Sequence, residues 1–148
     1  RLMDLTLTGP GMFDLKNFFD YAQELDVKIE TKRMFAFHSD IVFSPMAWPR
    51  HILDEIVNDV LDYARPIVTE KQQTLIRELE QMLVSPTHQE AWPDTAEDQF
   101  FNGRKYQQIL HHIRKDGENG RLTLGDIYSQ HPELWMWWNR PDRKHNQR

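Results

Sequence analysis

Thr8-Gly9-Pro10-Gly11 is the first place along the chain where residue types suggest chemistry. It follows an alternating run, LMDLTLT, and its glycines would let a ligand approach the backbone closely. Lys32 and Arg33 follow a second such run, VKIET, and bring positive charge for an anionic group. In parallel α/β folds ligands sit at the carboxyl ends of strands. Thr8, Gly9 and Lys32 are therefore the candidate cofactor- or substrate-contacting residues. The spacing is not GxGxxG, so no dinucleotide fingerprint is present. A plain turn also accounts for two glycines and a proline.

The chain has seven histidines: His38, His51, His88, His111, His112, His131 and His145. None lies four residues from another or in an HExxH pattern, so a metal site is not expected. His111 and His112 are neighbours on a helix and point about 100° apart, which suits one ion poorly. His38, in an irregular segment just past a strand, is the best placed for function, although a hydrogen-bonded structural histidine is the plainer account. Asp14, Asp40, Asp54 and Glu55 read as capping or helix-start acids. No residue is assigned a catalytic role. The absence of cysteine excludes a disulfide framework, a thiolate nucleophile and any iron–sulfur cluster held by this chain.

Charge narrows the partners. The 148 residues carry a formal net charge of −5, with +3 on residues 139–148 and −8 on the remainder. An acidic body weighs against nucleic acid, which requires concentrated positive charge. No apolar run reaches the ~20 residues of a membrane helix, and no signal-peptide pattern is present. A cytoplasmic location is expected. At 39% hydrophobic and 11% aromatic residues, the chain can bury a core.

These candidates need elements to hold them. Residues 2–8 and 27–31 alternate as strands, and 34–37 either continue or follow the second. Between them, Leu15, Phe18, Phe19, Ala22 and Leu25 share one face of a helix over 14–25. A connection of that length joins parallel strands, giving one βαβ unit. Residues 38–49 form an irregular crossing with two prolines. Helices are expected over 50–64, over 69–84 behind the capping box Thr69-Glu70-Lys71-Gln72, over 95–115 and over 124–130. Residues 85–93 read as a loop. Trp135, Met136, Trp137 and Trp138 follow His131-Pro132, read as a break where the chain turns. They form either a partner-binding patch or an aromatic knot that docks the end of the chain. The basic segment 139–148 reads as a flexible tail. The domain expectation is 1–66, 67–138 and 139–148.

Residues 13–65 resemble the end of the catalytic barrel in twitch-domain radical S-adenosylmethionine proteins. The features run in order: FDLKNFFDYAQELDVKIE, the irregular FSPMAWP, and RHILDEIVNDVLDYA as the helix behind it. Where that family has Leu-Pro before this helix, Trp48-Pro49 stands here. The segment FFNGRKYQQILHHIRKDGENGRLTLGDIYSQHPELWMWW is similar to the family's closing region, which has an aromatic helix, an Asp-x-x-Arg element and a short helix leading to Pro-Glu. Asp116 and Arg121 depart from that spacing. The resemblance implies an α/β fold: the terminal βαβ part of an incomplete TIM-like barrel, followed by a helical C-terminal extension.

The resemblance also implies that an N-terminal barrel, with the CxxxCxxC loop that binds a [4Fe–4S] cluster, precedes Arg1. The intact enzyme would cleave S-adenosylmethionine reductively to a carbon radical that takes hydrogen from a substrate. This chain would help close the barrel and shape the substrate cavity, and alone would bind no cofactor and be inactive. A different class of function, a non-enzymatic α-rich interaction module, would use the tryptophan cluster and helix faces as its contact surface.

Overall fold

The computed structural model describes residues 2–33, 38–115 and 120–142, without the side chains of residues 32, 33 and 38–40. Two strands, β1 (Leu2–Leu7) and β2 (Lys28–Arg33), run parallel. Helix α1 (Leu15–Glu24) connects them. The connector is long because a parallel pair needs a crossover rather than a hairpin. The turn from α1 into β2 passes through Asp26, whose φ is 51°.

The sheet is two-stranded, so each strand has one edge without a strand neighbour among the described residues. The register is Leu2 to Lys28, Asp4 to Glu30 and Thr6 to Lys32, with Met3, Leu5 and Leu7 opposite Ile29, Thr31 and Arg33. Successive side chains alternate between faces. Leu7 and Ile29 are buried, with Met3 and Leu5 packed on the same core. Leu2, Asp4, Thr6, Lys28 and Glu30 are exposed.

Helix α2 (Arg50–Ala64) presents an apolar stripe to the core: Ile52, Leu53, Ile56, Val57, Val60 and Leu61. It packs on α1 and on α3 (Gln73–Val84). Helix α3 also packs on β2. Its entry is fixed by the expected capping box at Thr69 and Gln72, which forms around a 3-10 turn at Glu70–Gln72. The buried Gln72 amide also donates to the Val27 carbonyl at 3.0 Å, tying α3 to the approach of β2. Arg50 joins α2 to the far end of α3. It donates to Asp54, to Glu90 and to the carbonyls of Met82, Leu83 and Ser85. Those carbonyls end a helix and have no partner within it, so a cation there satisfies them.

The second half is helical. Helix α4 (His88–Ala91) is four residues long and lies inside the segment expected as a loop. Thr87 and Glu90 form a capping box around its start, the T-x-x-E signature of a helix N-terminus. Helix α5 (Ala96–Arg114) packs on the 3-10 turn at His38–Phe43. Helix α6 (Leu124–Tyr128) follows, and then α7 (Pro132–Trp138). The break expected at His131-Pro132 is present, with His131 extended at φ −125° and ψ 108°, and α7 begins directly after it, where no helix was expected. Pro132 occupies the first helical position, where its missing N–H costs nothing and its fixed φ suits the helix. His131 is the cap, its ring Nδ1 accepting from Leu134 N at 3.2 Å. The chain is thus a mixed α/β fold with a small parallel sheet. No helix among the described residues is long and apolar enough to cross a membrane.

Candidate functional site

The carboxyl end of β1 is filled from within. Thr8 accepts a hydrogen bond from Gly11 N at its hydroxyl, 3.1 Å away. Gly9 N donates to the Phe43 carbonyl at 2.6 Å. A β-carbon at Gly9 would collide with the Tyr128 hydroxyl and sit 3.3 Å from both Phe43 O and the Trp48 ring. The room expected beside Gly9 for a ligand is therefore taken by Tyr128. The glycine is needed because the aromatic packing leaves no space for a side chain. Lys32 lies at the end of β2, opposite Thr6 in register.

The aromatic plug over Gly9 is built from distant segments. Trp48 and Tyr128 are both fully buried and meet edge to face, centroids 5.8 Å apart. Phe13 leans on both. Trp138 continues the stack onto Tyr128 at 5.4 Å and Phe100 at 5.5 Å. Burial raises the Tyr128 phenol well above its ordinary range. The Tyr128 hydroxyl is set against the Trp48 indole N–H without a well-formed hydrogen bond between them.

The other histidines and acids are dispersed. His51 pairs with Glu133 at 2.9 Å, and His131 pairs with Glu55 at 3.3 Å. These crossed pairs fasten α7 to α2. Asp54 is engaged by Arg50. Asp14 sits at the start of α1 without capping it and accepts from Asn17 Nδ2 at 3.0 Å instead. His111 lines a small pocket with Gln107 and Gly125. His38 opens a 3-10 turn; its side chain and that of Asp40 lie outside the described set, as do His145 and the segment 34–37. No group of three or more His, Asp or Glu positioned for a metal ion occurs among the described residues.

The tryptophan cluster divides along helix α7. Trp138 is 5% exposed and Trp135 is 46% exposed, with Met136 also outward. Trp137 packs at a tilt on Phe100, centroids 4.4 Å apart. Arg140, at the start of the segment read as a tail, is held. Its guanidinium lies 4.0 Å from the Phe100 centroid and 4.7 Å from the Trp137 centroid. It donates to Glu97 and to the Trp137 carbonyl. Arg104 donates to the carbonyls of Trp138 and Arg140, both at 2.7 Å, and so satisfies the end of α7.

A cleft with mixed chemistry adjoins this cluster. It measures about 330 Å³ and is lined by Val42, Ala96 and Phe100 among its apolar residues and by His88, Glu97 and Arg140 among its polar ones. The His88 ring leans on Trp92, centroids 5.6 Å apart and tilted by 45°. Burial pushes its imidazole down to about 4, which leaves it neutral at neutral pH. Sequence reasoning named His88 only as one of seven histidines and did not connect it with Glu97 or Arg140. The T-x-x-E pattern at Thr87 was the available signal, since it fixes His88 at a helix start. Compared with protein-family models, with curated proteins and with solved structures, the chain matches none.

Proposed function

We propose that this chain is the closing part of a radical S-adenosylmethionine-like enzyme, where it completes one side of a partial barrel and shapes the substrate cavity. The observation that carries this reading is the one-sided parallel sheet: β1 and β2 bury one face and leave the other polar and uncovered. A barrel strand has that character when its inner face lines a solvated cavity and its outer face carries helices. The strand edges without neighbours are where further barrel strands would pair. Thr6 and Lys32, paired at the carboxyl ends of the strands, lie nearest such a cavity.

The residues present do not fit the cluster. Thiolates hold a [4Fe–4S] group, and the chain has no cysteine. Cluster and S-adenosylmethionine would belong to an N-terminal barrel outside this sequence, and no step through either is assigned here. The chain's own share is positioning. The Trp48–Tyr128 plug packs at the end of β1 on the covered side of the sheet and fixes the strand end beside Gly9.

The test is the gene upstream of this segment, followed by co-expression of the two parts. An upstream reading frame with CxxxCxxC, whose product co-purifies with this chain, supports the proposal. An upstream frame without that motif, or a start codon at this segment, refutes it and leaves the interaction-module reading.

A further inference from the structure

The pocket that His111 shares with Gln107 and Gly125 lies between α5, α6 and the end of α7, apart from the sheet on which the barrel reading rests. It measures about 240 Å³, and Thr123, Leu124 and Trp138 also line it. Gln107 is only 3% exposed, yet no hydrogen bond engages its side-chain amide among the described residues. The indole N–H of Trp138, itself buried, likewise has no partner among them. Neither group is sealed off, since both residues open on the pocket. Polar groups this far from bulk water normally find partners within the fold.

Gly125 points the same way. It lies inside α6 without a positive φ, and a β-carbon there would meet nothing closer than Trp138 Nε1 at 3.6 Å. Alanine would fit and would favour the helix. What glycine provides is open space before the indole N–H. No Lys, Arg, Asp or Glu lines the pocket among the described residues, so an ion would enter without a counter-charge.

We propose that this pocket binds a small neutral carboxamide, whose carbonyl accepts from Trp138 Nε1 and whose amide pairs with that of Gln107. A primary amide carries both donor and acceptor, as the Gln107 side chain does. The volume is below that of most drug-sized sites and limits the ligand to a short chain, with Leu124 as its apolar contact.

Propanamide, butanone and propanoate share one heavy-atom shape and differ at one group, which is an amine, a methyl or an anionic oxygen. Each is titrated against the ¹⁵N-labelled full chain while the indole N–H signals are followed, with Trp138→Phe identifying that of Trp138. Propanamide should shift this signal saturably, butanone should bind about tenfold more weakly, and propanoate more weakly still. Gln107→Leu removes the amide at similar volume and should bring propanamide to the butanone level. Gly125→Ala places a methyl before the indole N–H and should weaken both at least tenfold. A variant is read only if its circular dichroism matches the parent, and the three-ligand comparison on the parent stands without them. No saturable shift of the Trp138 signal, equal affinity for propanamide and butanone, or propanoate binding as tight as propanamide overturns the proposal. So does unchanged propanamide affinity in either folded variant.

Discussion

The sheet and the C-terminal helices handle apolar surface differently. β1 and β2 bury Leu7 and Ile29 on one face and leave Asp4, Thr6, Lys28 and Glu30 in solvent on the other. The C-terminal helices turn Tyr128, Leu134 and Trp138 inward and tie the chain end down with Arg104 and Arg140. A polar sheet face costs nothing to leave open, whereas an indole left in water gives up the gain of burial, ~1.5–3 kcal/mol or more for a large side chain. Room for another strand lies along the sheet, where backbone edges have no strand neighbour among the described residues, and not at the aromatic knot, which is already filled.

The largest effect should come from emptying the knot. Trp138→Ala removes a ring packed edge to face on both Tyr128 and Phe100. Such truncations cost about 3–5 kcal/mol, a fall in melting temperature on the order of 10 °C. Trp135→Ala, one turn earlier and half in solvent, should change it little. Equal melting of the two variants would mean that α7 is not docked through Trp138.

Next comes the contact that joins the two regions. Gly9→Ala drives a methyl group into Tyr128 Oη, and overpacking of this kind costs about 1–3 kcal/mol. Tyr128→Phe alone should change stability by less than about 1 kcal/mol, because the buried hydroxyl makes no well-formed hydrogen bond with its one polar neighbour, the Trp48 indole. In the double variant the Gly9→Ala penalty should shrink, leaving what Phe43 O and the Trp48 ring impose at 3.3 Å. A double-mutant cycle by urea unfolding reads the coupling. No coupling would sever the sheet end from α6.

Much of this architecture was legible in the residues, for reasons that differ by element. The βαβ unit announced itself because alternation and a helical stripe have different periods, and Leu15, Phe19 and Ala22 fit only the second. The α2 stripe was legible for the same reason. Helix α7 was not, because a proline reads equally as a breaker or as a first helical residue; only the His131 ring's bond to Leu134 N decides it. The site was less legible than the fold. Gly9 looked open because a sequence cannot show that Tyr128, far along the chain, fills the same space. Arg140 looked like tail because its aromatic partners come from α5.

A smaller effect separates the regions by pH. His88 is held neutral by burial, with its imidazole lowered to about 4. As pH falls from neutral, the unfolded chain takes up that proton first, at the ordinary histidine value of about 6.5. Its contribution to stability is therefore present above about 6.5 and is lost as pH falls through about 4. His88→Phe should remove this slope, so the variant should gain on the parent at acid pH in urea midpoints measured at pH 7 and pH 5. An unchanged difference between the two pH values would place His88 in water and detach it from the cleft wall.

The smallest effect is expected on the open sheet face. Asp4 lies directly opposite Glu30 in register, and both are exposed. Like charges so placed are mildly unfavourable, by ~0.2–1 kcal/mol. Lys28 offsets part of this from 3.7 Å, an exposed pair of the kind worth about 0–1 kcal/mol. Asp4→Asn relieves the repulsion and removes no buried contact, so stability should stay within about 0.5 kcal/mol of the parent, on the favourable side. Measured in urea at low and moderate salt, the small gain should shrink as ions screen the pair. A loss of about 2 kcal/mol or more would require a buried, partnered carboxylate at Asp4. The polar face would then be covered in the isolated chain, as by a second copy pairing along the sheet, and the contrast between an open sheet and a closed aromatic end would fail at its open side.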